Sequence, residues 1–256
     1  MWVTPLTGTL RGMNRWRRAS VLCVVVASLS ACTGGPARDR SRYESADDRA
    51  VTASRDHVVT VGGVRDEATL EVASGVDTLT VTVSDLGDDL ARVSTPAGSH
   101  VAPVIETDDP VRVVAAAGDG SGPAAMSVVL NPDAQWTLRL TGGAQAVTID
   151  LRGGRVAEVD FVAGVSSIDL TLPAPDGTVP VRMGGGASLF AVHAPDGVPV
   201  RVTMTGGGGS ATVDGASRSG IAGGTVIDAP GWDGATDRYD LDAVAGVSRL
   251  TLDRRA

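Results

Sequence analysis

Residues 157–172 read Ala157-Glu158-Val159-Asp160-Phe161-Val162-Ala163-Gly164-Val165-Ser166-Ser167-Ile168-Asp169-Leu170-Thr171-Leu172. Counting from Gly164, apolar residues stand seven, five and three positions before it (Ala157, Val159, Phe161) and four, six and eight after it (Ile168, Leu170, Leu172). A period of two belongs to a strand with one buried face. The stretch therefore reads as two half-buried strands joined by a glycine turn.

The same frame recurs in both directions. Around Gly143 it holds Trp136, Leu138 and Leu140, then Val147, Ile149 and Leu151; around Gly186, Val179, Val181 and Met183, then Phe190, Val192 and Ala194. Gly207 is framed by Val200, Val202, Met204, Ala211 and Val213, and Gly75 by Ala68, Leu70, Val72, Leu79, Val81 and Val83. Gly246 ends the series with Tyr239, Leu241, Ala243, Leu250 and Leu252. The central anchors Gly143, Gly164, Gly186 and Gly207 lie 21, 22 and 21 residues apart. Near-constant spacing of this kind marks a repeat architecture whose units cannot bury their faces alone. Between Gly75 and Gly143 the frame loosens into Val111, Val113, Ala115 and then Met126, Val128, Leu130, and residues 216–238 read as an irregular loop around Pro230-Gly231-Trp232.

Pro132-Asp133, Pro175-Asp176 and Pro195-Asp196 fall at comparable places in three units. Proline presets φ and aspartate bonds the backbone just beyond it, so these are turns between units. A calcium ladder would need a nine-residue Gly-Gly-x-Gly-x-Asp run, which does not occur. The expected fold is all-β: a β-solenoid-like stack of two-strand repeats of about 21 residues, each coil about 4.8 Å above the last. The alternative is an antiparallel β-sandwich in which each glycine turn is a hairpin.

The run Tyr239-Asp240-Leu241-Asp242-Ala243-Val244-Ala245-Gly246-Val247-Ser248-Arg249-Leu250-Thr251-Leu252, with Ala163-Gly164-Val165-Ser166-Ser167-Ile168-Asp169-Leu170, resembles the adhesin-type β-repeat domains of bacterial envelope proteins. The resemblance spans residues 58–253 and implies a β-solenoid-like fold with no catalytic residues to carry over.

The other end of the chain gives an address. Arg11, Arg15, Arg17 and Arg18 precede a thirteen-residue apolar run from Ala19 to Ala31. That run suits a signal-peptide core and is shorter than the about 20 residues of a membrane span. Leu29-Ser30-Ala31-Cys32 resembles the bacterial lipobox, in which cleavage between Ala31 and Cys32 leaves a lipid-modified cysteine at the new N-terminus. Met13 is an alternative start that still supplies a complete signal. Residues 1–31 are thus expected to be a lipoprotein signal peptide, residues 32–57 a flexible polar tether, and residues 58–256 a single β-repeat domain.

Four of the 22 basic residues and none of the 30 acidic ones lie in residues 1–31, so the chain from Cys32 onward carries a net charge of −12. Every basic residue is arginine, a usage that with abundant Ala, Gly, Val and Asp points to a GC-rich genome such as an actinobacterium's. Nucleic acid is not an expected partner for so acidic a chain. The two cysteines are Cys23, inside the signal, and Cys32, so no disulfide is expected.

Catalytic patterns are sparse. His57, His100 and His193 have no metal-pair spacing, and His193 falls on an outward strand position where a solvated histidine is expected. Gly206-Gly207-Gly208-Gly209-Ser210 lacks the lysine of a phosphate loop. Asp88-Asp89, Asp108-Asp109 and the group Asp233, Asp237, Asp240, Asp242 are the candidate carboxylates for glycan cleavage. Only Tyr43, Trp136, Phe161, Phe190, Trp232 and Tyr239 remain as aromatics to line a sugar cleft. Trp232 and Tyr239 are the candidate partner contacts, with Trp232 as a cap over the last coil as the other reading.

These features point to a non-enzymatic cell-envelope lipoprotein: an adhesin-like binding or scaffold domain held by Cys32 at the outer face of the cytoplasmic membrane, with an envelope protein or glycan as partner and no cofactor or metal. The alternatives are an envelope polysaccharide-active enzyme on the same scaffold and an accessory subunit of a membrane sensor or transporter.

Overall fold

The computed structural model describes residues 56–255. The strands are β1 (His57–Gly62), β2 (Glu67–Val72), β3 (Val76–Val83), β4 (Asp89–Thr95), β5 (Val101–Asp108), β6 (Val111–Ala117), β7 (Ala125–Leu130), β8 (Gln135–Leu140), β9 (Ala144–Asp150), β10 (Arg155–Phe161), β11 (Val165–Thr171), β12 (Thr178–Met183), β13 (Ala187–Pro195), β14 (Val200–Met204), β15 (Gly208–Val213), β16 (Ala216–Ile221), β17 (Thr225–Asp228), β18 (Arg238–Ala243) and β19 (Val247–Arg255). Among the described residues there is no α-helix, and the one helical turn is a 3-10 turn at Trp232–Gly234.

The strands form two mixed sheets. One is ten-stranded, in the order β1-β4-β7-β3-β9-β11-β13-β19-β15-β16, and the other nine-stranded, β17-β14-β18-β12-β10-β8-β2-β6-β5. From β7 to β15 in the first sheet and from β6 to β14 in the second, all neighbours run parallel. Antiparallel pairing is confined to the ends, at β1–β4, β4–β7, β5–β6, β14–β17 and β15–β16. Each glycine turn therefore joins a strand of one sheet to a strand of the other, and the antiparallel sandwich does not describe the central strands.

One expectation fails: the coils do not stack in chain order. The coil β2–β3 lies between β6–β7 and β8–β9, and the last coil, β18–β19, is inserted between β12–β13 and β14–β15. The anchor glycines record this order. Val76 N–H donates to Gly143 O at 3.1 Å, Ala144 to Gly164 at 3.4 Å, Val165 to Gly186 at 3.1 Å, Ala187 to Gly246 at 3.3 Å and Val247 to Gly207 at 3.3 Å. At the preceding position, stack order gives Ser74, Gly142, Ala163, Gly185, Ala245, Gly206, small side chains alternating with none. A Cβ on Gly142 would lie 2.0 Å from Ser74 O, and one on Gly185 would lie 2.0 Å from the Ala163 carbonyl carbon. The turns stack so closely that only every second one accommodates a side chain.

The inward residues of both sheets meet in one core that runs from Val61 to Leu252 and holds Trp136, Phe161, Phe190 and Tyr239 among its largest members. Phe161 and Phe190, from opposite sheets, pack edge-on with ring centroids 5.8 Å apart, a favoured arrangement for two aromatic quadrupoles. The alternating frame places its residues inside almost throughout. Ala157 is the exception: the register of β10 against β8 shifts between Val156 and Glu158, so Val156 takes the buried place and Ala157 turns outward, as one extra residue in a strand requires. Residues 216–238 are not merely a loop, since β16 and β17 add an antiparallel edge strand to each sheet.

Candidate functional site

Cys32, the Ala31–Cys32 cleavage point, the expected signal and residues 32–55 of the expected tether lie outside the described residues. The last two residues of that tether belong instead to the domain: Asp56 accepts the Ala97 N–H, and His57 opens β1 opposite Thr95. Trp232 and Tyr239 lie within them, and neither is a free surface anchor. Tyr239 is fully buried by the β12, β14 and β18 layer, with its hydroxyl donating to Pro173 O at 2.7 Å. Trp232 is 8% exposed, and its indole N–H donates to Tyr239 O at 2.9 Å. The guanidinium carbons of Arg201 and Arg238 lie 3.5 and 4.1 Å from its ring centroid, within cation–π range. Arg201 is ion-paired to Asp228 and Asp233, so the loop is clasped onto the sheet. Of the two arginines, only Arg238 stands near Trp232 in the sequence; Arg201 lies beyond Arg218 and becomes a neighbour only because β18 pairs with β14.

Five of the eight candidate carboxylates, Asp89, Asp109, Asp233, Asp237 and Asp242, have structural partners. Asp237 accepts the Gly177 N–H at 2.8 Å, Asp242 accepts the Thr205 hydroxyl at 2.7 Å, and Asp109 lies 3.4 Å from Arg65. In Pro175-Asp176-Gly177 and Pro195-Asp196-Gly197 both glycines have a φ of 75°, the turn conformation the dipeptides announce. No group of three His, Cys, Asp or Glu side chains poised for a metal occurs among the described residues. His100 Nδ1 lies 2.7 Å from Gly122 O on the exposed surface.

His193 departs from expectation. Its outward position on β13 is only 5% exposed, because the flanking strands raise side chains on both sides of it. Nδ1 bonds Asp253 of β19, and Nε2 lies 3.3 Å from Asp169 of β11. That second contact is close enough for attraction but off-line for a hydrogen bond, so Nε2 is buried without a hydrogen-bonding partner. Thr171, the register partner of His193 on β11, is buried beside it.

A cleft of about 240 Å³ opens at this corner, where β9, β11 and β13 end. Its wall is largely apolar, from Leu172, Pro173, Ala174, Ala194 and Pro195, with Thr171 and His193 as polar members. Arg152 and Arg255 stand at the mouth. Arg152 pairs with Asp150 at 2.6 Å, and this hydrogen bond holds the Asp150 carboxyl below its ordinary range, partly opposed by burial; Arg255 adds to the lowering. Arg255 itself has no carboxylate within salt-bridge distance among the described residues. The arrangement can hold an apolar group beside an anion; among the described residues it contains no nucleophile–base pair in hydrogen-bonding contact.

The outward faces differ in character. On the nine-stranded sheet one cross-strand row reads Arg112, Glu71, Arg139, Asp160, Arg182, Asp242, alternating in sign at every step. On the ten-stranded sheet a row reads Ser127, Thr80, Thr148, Asp169, Ala191, Thr251, Thr212, Ser217, mostly hydroxyls.

These features define an all-β domain of stacked two-strand coils with a small corner cleft. No family model matches the chain, and no curated protein matches it in sequence. It is similar in structure to a "putative cell adhesion protein" from Clostridium sporogenes ATCC 15579, at 16% identity over 78% of this chain and 99% of that one, with a TM-score of 0.52. A "putative adhesin" from Bacteroides fragilis NCTC 9343 aligns at 11% identity over 78% of this chain and 97% of that one, with a TM-score of 0.20. One from Parabacteroides distasonis ATCC 8503 aligns at 12% identity over 78% and 98%, also with a TM-score of 0.20. The Clostridium likeness is one of fold.

Proposed function

We propose that this chain is a non-enzymatic, adhesin-type binding domain of a bacterial cell envelope, attached through a lipid on Cys32 to the outer face of the cytoplasmic membrane. The observation that carries the reading is the pair of broad outward sheet faces, one crossed by a row of alternating charges and the other by a row mostly of hydroxyls. Such faces suit reversible contact with another envelope component, while Asp237, Asp242 and Asp233, which a glycan-cleaving site would draw on, are held by structural partners. The name of the Clostridium sporogenes protein is in keeping with this reading. The lipobox supplies the attachment.

Two measurements test it. Cys32→Ala is expected to abolish incorporation of a fatty-acid analogue and to release the protein from membranes; continued incorporation would overturn the anchor. Photocrosslinkers at Thr148 and Arg182, one on each sheet face, are expected to capture a discrete partner in native envelopes. Capture of nothing from either face would overturn the binding reading.

A further inference from the structure

We propose that the corner cleft is a docking site for an acidic peptide segment that inserts one apolar side chain and sets a neighbouring carboxylate against Arg255. The proposal rests on the reading of the chain as a binding domain and names the partner chemistry of one site on it. The cleft holds about 240 Å³, which suits a single leucine- or phenylalanine-sized group. Cavities for whole small-molecule ligands usually exceed about 300 Å³. The wall offers the inserted group Leu172, Pro173, Ala194 and Pro195. An anchoring side chain in a desolvated pocket is the usual centre of a protein–protein contact.

The charges select an acidic neighbour. Of the carboxylates beside the cleft, Asp150 is paired with Arg152 and Asp253 is bonded to His193 Nδ1, while Asp169 lies 3.3 Å from His193 Nε2 without a hydrogen bond. Arg255 lines the same cleft, acts electrostatically on Asp150, and has no carboxylate of its own among the described residues. A guanidinium at the mouth of an apolar hole is matched by a carboxylate one or two residues from the inserted group. The cleft also crosses three coils, with 152–153, 171–174 and 193–195 contributing in turn, so it can follow a short extended segment.

The test uses the protein from Cys32 onward and an array of eight-residue peptides, each with one Leu, Ile, Val, Phe or Met between Asp and Glu residues, read by fluorescence anisotropy. Saturable binding by members of the set is expected, weakening in high salt and falling roughly tenfold or more when Asp and Glu become Asn and Gln. Arg255→Glu, at an exposed position, and Ala174→Phe, which fills the cleft from its exposed rim, are each expected to reduce it by a similar factor. Absence of saturable binding across the array, or binding indifferent to both substitutions in folded protein, overturns the proposal. Envelope crosslinking with the same two variants separates the two ideas. Partner capture retained in both overturns the cleft alone, whereas capture by no form of the protein overturns the binding reading itself.

Discussion

At Tyr239 a phenol lies wholly within the core, where its hydroxyl donates to Pro173 O at 2.7 Å. Tyr239→Phe leaves that buried carbonyl without its donor and is expected to cost about 1–2 kcal/mol in urea unfolding. Burial also raises the phenol above its ordinary value near 10. In the unfolded chain the group ionises around pH 10 while the folded one stays neutral. Its contribution is therefore complete below about pH 10 and declines as the pH rises beyond it. The urea midpoint of the native protein is expected to fall more steeply above about pH 10 than that of Tyr239→Phe; parallel profiles would refute this. Glu71 acts at the other end of the scale. A hydrogen bond from Arg112 holds its carboxyl below the usual range, against a smaller opposing effect of burial. Its contribution is present above about pH 4.3 and is lost as the pH falls toward the lowered folded value, so Arg112→Gln should flatten the acid limb of the same curve. The period-two frame points Tyr239 inward, where the structure has it, against its other reading as a partner contact. The burial of His193 was not legible: the same frame points it outward, and what buries it are side chains from the two flanking coils, one of them 60 residues away in sequence.

At the scale of elements, strands and turns were readable because burial of one face imposes alternation, and the order of the coils was not. Alternation specifies which face is inside but is the same for every strand, so it cannot say which coil neighbours which. Two weaker patterns do carry that information. The charge row alternates in sign only in spatial order, as does the small-residue row Ser74, Gly142, Ala163, Gly185, Ala245, Gly206 in size. Like charges opposite one another on neighbouring strands are unfavourable. Stacking β18–β19 in chain order would set Asp242 beyond Thr203 rather than opposite Arg182. Asp160→Lys, between Arg139 and Arg182, is expected to lower stability by about 1 kcal/mol at low salt and by less at high salt, as measured by denaturant unfolding in each. The steric row is stricter. Gly142→Ala brings a methyl to 2.0 Å from the Ser74 carbonyl oxygen. The turns must then move apart, at an expected cost of about 3 kcal/mol. Ala163→Gly, which only removes a methyl from the same row, should cost far less, and equal losses would mean that the stacking of turns is not what limits this position.

At the scale of the whole molecule, the insertion of β18–β19 changes what truncation does. In a repeat stack laid down in chain order, each coil depends on its neighbours alone, and loss of the last coil shortens the core by one unit. Here the last coil supplies a middle strand to both sheets: β18 separates β12 from β14, and β19 separates β13 from β15. Removing residues 238–256 therefore opens two parallel strand edges in each sheet and strips Tyr239, Leu241, Leu250 and Leu252 from the core. It also removes Arg238 and the Tyr239 carbonyl, and with them the bonds that tie Trp232 to β18, leaving Arg201 alone to hold the 229–237 loop against β14. The coil β14–β15 and the edge strands β16 and β17 then have no parallel neighbour to rest on. A chain ending at residue 237 is expected to lose cooperative unfolding, or to associate through its bare edges, whereas a chain lacking residues 214–237, with a short linker from β15 to β18, keeps every parallel pair. Limited proteolysis and urea unfolding of the two shortened chains distinguish the cases. A cooperative transition in the chain ending at residue 237, with only a modestly lower midpoint, would mean that β14–β15 can close onto β12–β13 directly and that the inserted order is not required for stability.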